Sequence, residues 1–211
     1  MSTLSTINNA LYTSVEEIAP CVLLYSNVWA DSTEFMQKIE TQAATTSVTW
    51  GAATVHDRKG PLIAKQYRDV QIIGLSSFDA GPPAAHADPS VWAVYRMYNE
   101  VDQSLSPVVQ EYCDKYNVVT STKEGVQLLK YGKDQFFTAH VDDSQKRPRR
   151  VSYSYYVNED YEGGEIVFSN LGVTVKPKAH QLLVFPSSYP YRHEVRPVTS
   201  GTRYAIVQWW N

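Results

Sequence analysis

His140 and Asp142 lie two residues apart in the segment YGKDQFFTAHVDD, so on an extended strand both side chains leave the same face. His193, in YRHEV, offers a second imidazole from a distant stretch, and Arg203, ten residues further on in GTRYAIVQWW, offers a fixed positive charge. Two imidazoles and one carboxylate suit a non-haem iron(II) site and leave positions open for exchange, which is what oxygen activation needs. The ligands must be neutral imidazole and ionised carboxylate, so metal binding is expected to weaken as pH falls below the histidine range.

Strand phase supports a pocket role for Arg203. In residues 202–210 the odd positions Arg203, Ala205, Val207 and Trp209 share one face, and Thr202, Tyr204, Ile206, Gln208 and Trp210 share the other. An arginine among inward apolar residues is costly unless it meets an anion. A dicarboxylate cosubstrate is a natural partner, because a guanidinium offers two parallel hydrogen bonds. Tyr131 either adds a hydroxyl to that carboxylate or fills the core.

Each residue has a plainer reading. His193 can be a strand-end histidine, and Arg203 can pair with a structural carboxylate. His-x-Asp recurs at His86 and Asp88, but Asp88 precedes Pro89, as a cap residue precedes the first helical position, which commits its carboxylate to backbone donors. His180 is a rival third ligand, placed by Lys176, Pro177 and Lys178 in an exposed turn. His56 and Asp57 run into Arg58, Lys59, Gly60 and Pro61, a surface turn. The ordered set inside one strand-rich half favours His140, Asp142 and His193.

The elements that must position these residues are short strands at 135–141, 151–157, 165–168, 173–175, 181–185, 192–196 and 202–210, separated by turn residues, as in a sandwich or jelly roll. The first half is different. Residues 1–19 read as a polar, partly ordered lead-in, and 21–25 as a short buried strand. Asp31 and Glu34 form a capping box for a helix running to about residue 44. The β-branched stretch 45–55 favours strand, as does 70–74, and 79–89 is an irregular connection. From Val91 the apolar positions follow the helical period to Tyr112, with Pro107 expected to kink or divide the helix near Leu105. Ser121 and Glu124 repeat the cap spacing before a short helical turn. No linker separates the halves, so one domain is expected over residues 1–211, with 1–124 as mostly helical support and extra strands and 125–211 as the catalytic core.

A formal charge of −3, from 19 basic and 22 acidic residues, gives no general reason to expect nucleic acid or an anionic membrane. The basic run KRPRR at 146–150 either favours a polyanion locally or forms a solvated loop. Cys21 and Cys113 are too far apart in sequence for a close-spaced zinc or disulfide pattern and read as buried small hydrophobes. No secretory signal is evident and no apolar run is long enough to span a bilayer, so a cytoplasmic protein is expected. Fifteen tyrosines and five tryptophans are a heavy aromatic load. Tyr153, Tyr155, Tyr161, Tyr189 and Tyr191 either shape a peptide groove or fill the core, and the oligomeric state is open.

Residues 125–210 resemble the prolyl 4-hydroxylase-like branch of the iron(II)- and 2-oxoglutarate-dependent dioxygenases. His140-Val141-Asp142 looks like the first two metal ligands of that family, His193 the distal one, and Arg203 after Gly201-Thr202 the residue that binds the remote carboxylate of 2-oxoglutarate. Tyr131 matches a tyrosine of the cosubstrate pocket, Tyr156-Val157-Asn158 a strand ending in Leu-Asn, and Gly163-Gly164-Glu165 with Phe168 a Gly-Gly-Glu block. Val175, Pro177, Leu183, Phe185 and Pro186 continue the match. Asp134, Gln135 and Ala179 stand where relatives often carry glycine, and Phe137 replaces a frequent tyrosine. The resemblance implies a mainly β fold with α support (α+β), a double-stranded β-helix or jelly roll buttressed by N-terminal helices. It implies iron(II), 2-oxoglutarate and O2, with ascorbate beside them, and oxidative decarboxylation coupled to C–H hydroxylation. A proline-containing peptide or protein is the leading expected substrate. A free amino acid or small metabolite, and a non-enzymatic metal-binding jelly-roll module, are the alternatives.

Overall fold

The alternating segments of the C-terminal half pair into two antiparallel sheets, and the N-terminal half adds strands to both. The computed structural model describes residues 11–43, 48–56, 61–78 and 81–211. In chain order the elements are β1 (Ser14–Ala19), β2 (Val22–Ser26), α1 (Ser32–Ala43), β3 (Gly51–Ala52), β4 (Val55–His56), β5 (Pro61–Leu62), β6 (Arg68–Asp69), β7 (Gln71–Leu75) and α2 (Pro89–Tyr116). There follow β8 (Val126–Tyr131), β9 (Phe136–His140), β10 (Val151–Tyr156), β11 (Glu162–Gly163), β12 (Ile166–Phe168), β13 (Val173–Val175), β14 (Gln181–Pro186), β15 (His193–Val195), β16 (Val198–Ser200) and β17 (Arg203–Trp210).

The larger sheet has the order β1-β2-β14-β10-β17-β8-β7-β3, and the smaller β13-β12-β15-β9-β6. Strand alternation sends the two faces of the larger sheet into different cores. Tyr153, Tyr155, Leu182, Val184, Leu128 and Ile206 pack with Val101, Leu105, Val108 and Tyr112 of α2. Leu129, Tyr131, Tyr156, Leu183, Phe185 and Ala205 point the other way, to meet Ile166, Phe168, Val175 and Val195 of the smaller sheet. The central strands are buried on both faces, so one face of the larger sheet packs on the helices and the other lines the space between the sheets.

Asp88 caps α2, accepting the Ser90 N–H at 2.8 Å, and Asn117 ends it in the left-handed region. The division expected at Pro107 does not occur: α2 runs through it as a single helix. A proline inside a helix costs about 3 kcal/mol, and the unbroken buried face on both sides of it, with Val101, Leu105, Val108 and Val109 all fully buried, outweighs that. In α1, Asp31 contributes its carbonyl to Phe35 N–H, and Glu34 pairs with Lys38 one turn on.

Three further expectations are corrected. Residues 14–19, read as part of a polar lead-in, form the edge strand β1 paired with β2. The helical turn expected from Ser121 and Glu124 is extended chain, because tertiary partners on the last strand take the backbone: Ser121 N–H reaches Asn211 O and Glu124 N–H reaches Trp209 O. In the stretch expected as strand over 45–55, strand is confined to β3 and the start of β4, and the residues before 48 lie outside those described. The turn expected after His56 likewise falls on 57–60, outside the described residues.

Candidate metal centre

β9 and β15 are paired with His140 opposite His193, which sets two residues far apart in sequence side by side. Their rings lie 4.3 Å apart, and Asp142, just beyond the end of β9, closes the group. His140 Nε2 is 3.5 Å from Asp142 Oδ1, and His193 Nε2 is 3.8 Å from Asp142 Oδ2. Ligand atoms from all three lie within 4.8 Å of one another, and among the described residues they form the one such His/Cys/Asp/Glu cluster.

The ring nitrogens facing away from this point are already committed. His140 Nδ1 lies 2.8 Å from Thr138 O, and His193 Nδ1 lies 3.1 Å from Tyr191 O. A carbonyl only accepts, so each Nδ1 carries the proton and each Nε2 presents its lone pair toward Asp142. The Asp142 carboxylate is positioned by Ser152, whose hydroxyl donates to Oδ2 at 2.7 Å and also lies 2.8 Å from Ser187 Oγ. Burial alone would raise the Asp142 pKa, but the positive charge that His193 and His140 carry when protonated, together with the Ser152 hydroxyl, holds it well below the usual carboxylate range. Burial, reinforced by His140, lowers His193 to about 4, against the opposing pull of Asp142. The acid limit expected at the ordinary histidine range therefore lies lower for this ligand. Phe137 stacks on His140 at 3.6 Å, and Phe185 packs edge-on against His193.

Across the inter-sheet space, Arg203 of β17 pairs in register with Tyr131 of β8. Arg203 is 1% exposed, with its guanidinium between the Tyr131 ring at 4.9 Å and the Tyr156 ring at 5.1 Å. Its Nε and Nη1, together with the hydroxyls of Tyr156 and Tyr161, are buried without a hydrogen bond. A buried cation beside unsatisfied donors is the pattern of an anion site. Gly164 makes room for it: φ is +64° there, and a Cβ would meet Arg203 Cδ at 2.9 Å. Asp134, where relatives of the resembled family often carry glycine, has φ +65°, a conformation an aspartate tolerates.

One cavity is lined by His140, Asp142, His193, Arg203 and Tyr131, so all five residues singled out in the sequence meet at one place. The donor set suits iron(II), and the buried guanidinium suits the remote carboxylate of a keto diacid. The rival residues lie elsewhere. Asp88 is spent on its cap, and His180 is tied to the start of α1 through Ser32 Oγ and Trp29 O. KRPRR is more than a solvated loop. Arg149 makes a two-pronged pair with Glu124, at 2.6 and 2.7 Å, over the Trp209 ring. Of the tyrosines left open, Tyr153 and Tyr155 are core beneath the helices, and Tyr189 is exposed.

The family model of the 2OG-Fe(II) oxygenase superfamily matches residues 126–211. That stretch is similar to a 2OG-Fe(II) oxygenase domain. The matched stretch includes His140, Asp142, His193, Arg203 and Tyr131, and the family it resembles uses iron(II), 2-oxoglutarate and O2. A protein of Acanthamoeba polyphaga mimivirus, named provisionally as a prolyl 4-hydroxylase, is 28% identical over 126 residues, covering 50% of this chain and 52% of that one. A PKHD-type hydroxylase of Idiomarina loihiensis is 31% identical over 90 residues, 40% of each chain. The chain thus spans about half the length of the curated relatives it matches. A solved prolyl hydroxylase from Trichoplax adhaerens, in complex with a hypoxia inducible factor peptide, superimposes with a TM-score of 0.67 at 18% identity, over 90% of this chain and 82% of that one. That likeness shows the jelly-roll fold, mainly β with two helices, as expected.

Ser152, Gln127 and Arg68 around this candidate site carried no sequence signal. Serine and glutamine in a strand look like solvent-face residues, and Arg68 sits in a two-residue strand too short to show alternation. Among the described residues no helix is long and apolar enough to cross a membrane.

Proposed function

We propose that the chain is an iron(II)- and 2-oxoglutarate-dependent hydroxylase in which His140, Asp142 and His193 hold the metal. Arg203 receives the remote carboxylate of 2-oxoglutarate, and Tyr131 lines the same pocket. When bound, iron(II) and 2-oxoglutarate supply the oxidising chemistry, in which O2 drives decarboxylation of the keto acid and hydroxylation of a C–H bond. The protein's part is placement. Backbone carbonyls fix both imidazoles, Ser152 orients the carboxylate, and the aromatic walls of Phe137, Phe168 and Phe185 keep water from the reacting centre. The observation that carries this reading is a buried guanidinium with unpaired donors in the same cavity as a converged His/Asp/His cluster.

The names of the relatives make a prolyl residue in a peptide the leading substrate. Anaerobic iron(II), then 2-oxoglutarate, should produce a metal-to-ligand charge-transfer band. Admitting air with a panel of peptides and amino acids should yield succinate and one product heavier by one oxygen. His140→Ala or Asp142→Ala should abolish both signals, and Arg203→Ala should weaken 2-oxoglutarate binding on the order of tenfold to a hundredfold, the loss of charge-assisted hydrogen bonds. Metal binding that survives in Asp142→Ala but is lost in His86→Ala would assign the site elsewhere. Metal binding without succinate would make the chain a passive binding module.

A further inference from the structure

Arg68 stands in the wall between the inner cavity and an open groove of about 340 Å³ over the metal centre, and it lines both. Its place is set by β6, where it pairs with Phe137 of β9. The guanidinium lies 4.7 Å from the Phe137 ring, which in turn stacks on His140, so the cation is one aromatic ring removed from a proposed metal ligand. Arg68 is 8% exposed. Its polar contacts are neutral: Nη2 donates to Gln127 Oε1 at 3.0 Å, and Nη1 to Thr54 O at 3.5 Å. Nε is buried with no hydrogen bond.

A buried cation normally has a carboxylate partner, because the desolvation cost of the charge is otherwise uncompensated. Among the described residues none pairs with Arg68. Of the described residues lining the groove, Asp142 is the one carboxylate, and the two imidazoles engage it. Arg149, the neighbouring half-buried cation of the groove, differs in being held by both oxygens of Glu124. Arg147 stands exposed at the rim. The wall facing an incoming substrate is therefore cationic, with one buried guanidinium that still has a donor to give.

We propose that Arg68 takes a carboxylate carried by the substrate, so that the oxygenase selects substrates with a free carboxylate near the target. This rests on the hydroxylase reading for the identity of the groove. The carboxylate comes either from an acidic residue beside the target in a peptide or from the α-carboxylate of a free amino acid. A two-point hydrogen bond from a guanidinium distinguishes a carboxylate from its isosteric amide in either case.

The test uses the full chain loaded with Mn(II) and 2-oxoglutarate, so that binding is read without turnover. The probes are blocked pentapeptides with central proline and a Glu or Gln on either side, and free L-proline against L-prolinamide. Binding of the carboxylate member of one pair should be at least about tenfold tighter, the span of a charge-assisted hydrogen bond. Whichever pair discriminates names the source. In Arg68→Gln and Arg68→Met the preference should fall to within about twofold, and Arg68→Lys should restore part of it. Equal binding within every pair overturns the proposal, as does a preference that survives in Arg68→Gln. The wild-type comparison needs no variant, so the proposal can fail even where a substitution unfolds the chain. Succinate release with iron(II) on the same probes separates the two readings. Discrimination without succinate keeps the role of Arg68 and removes the hydroxylase. Succinate without discrimination does the reverse.

Discussion

Asp142 accepts from Ser152 while both imidazoles face it, so the orientation of one carboxylate decides the geometry of the centre. Removing such an outer partner typically costs 10–100-fold in metal affinity. Ser152→Ala should lose iron(II) affinity within about that range, read by anaerobic titration, with the fold intact by circular dichroism. An unchanged affinity would show that the imidazoles alone orient the carboxylate. Gly164 tests the other half of the site. Gly164→Ala places a methyl 2.9 Å from Arg203 Cδ on a backbone with φ +64°. It should destabilise by roughly 1–2 kcal/mol for the left-handed conformation and raise the KM for 2-oxoglutarate more than it lowers kcat. A variant with normal KM would mean that the guanidinium has room to give.

At the scale of elements, α1 is fastened to the larger sheet through Glu40. Its carboxylate receives Tyr204 Oη at 2.7 Å, Lys130 Nζ at 2.9 Å and Trp50 Nε1 at 3.2 Å. Partial burial would raise its pKa, but those donors leave it net lowered. A carboxyl group with a depressed folded pKa stabilises above its unfolded value, and that contribution is lost as pH falls through the folded value. The acid limb of the stability curve should therefore be shallower in Glu40→Gln, and the variant should be about 1 kcal/mol less stable at pH 7, given the partial exposure of the pair. Urea midpoints from pH 7 down to 3 measure both. Parallel acid limbs would remove Glu40 from the account. α2 is held differently, by an apolar face that persists through Pro107, and this is why the expected division of the helix does not happen.

Over the whole molecule, the central strands of the larger sheet are buried on both faces, with α2 on one side and the proposed metal centre on the other. Arg203 and the His/Asp/His cluster occupy an interior that their charges destabilise until ligands arrive. Ligands that bind only the folded state add RT ln(1 + [L]/Kd), about 2.7 kcal/mol at a hundredfold excess over Kd. Mn(II) with 2-oxoglutarate should thus raise the melting temperature by several degrees, and Asp142→Ala should show no shift with metal. A wild-type protein whose melting ignores both would not contain this centre.

Much of this was legible in the residues. The seven C-terminal strands lie close to where alternation and turn residues put them, because a strand buried on one face alternates with a period of two and one buried on both reads as a short apolar run between turn residues. Arg203, Val207 and Trp209 of the odd-position face do line the cavity, for the same reason. Pairing partners were not legible: nothing local says that His193 stands opposite His140, that residues 14–19 extend the larger sheet, or that residues 121–124 spend their backbone on the last strand instead of a helical turn. Those follow from long-range hydrogen bonds, which can override a local cap signal worth about 1 kcal/mol. The place of Arg68 was decided in the same way. An arginine looks alike in any strand, and only the packing of β6 against β9 makes it a buried cation beside the proposed metal centre, with a donor still unspent.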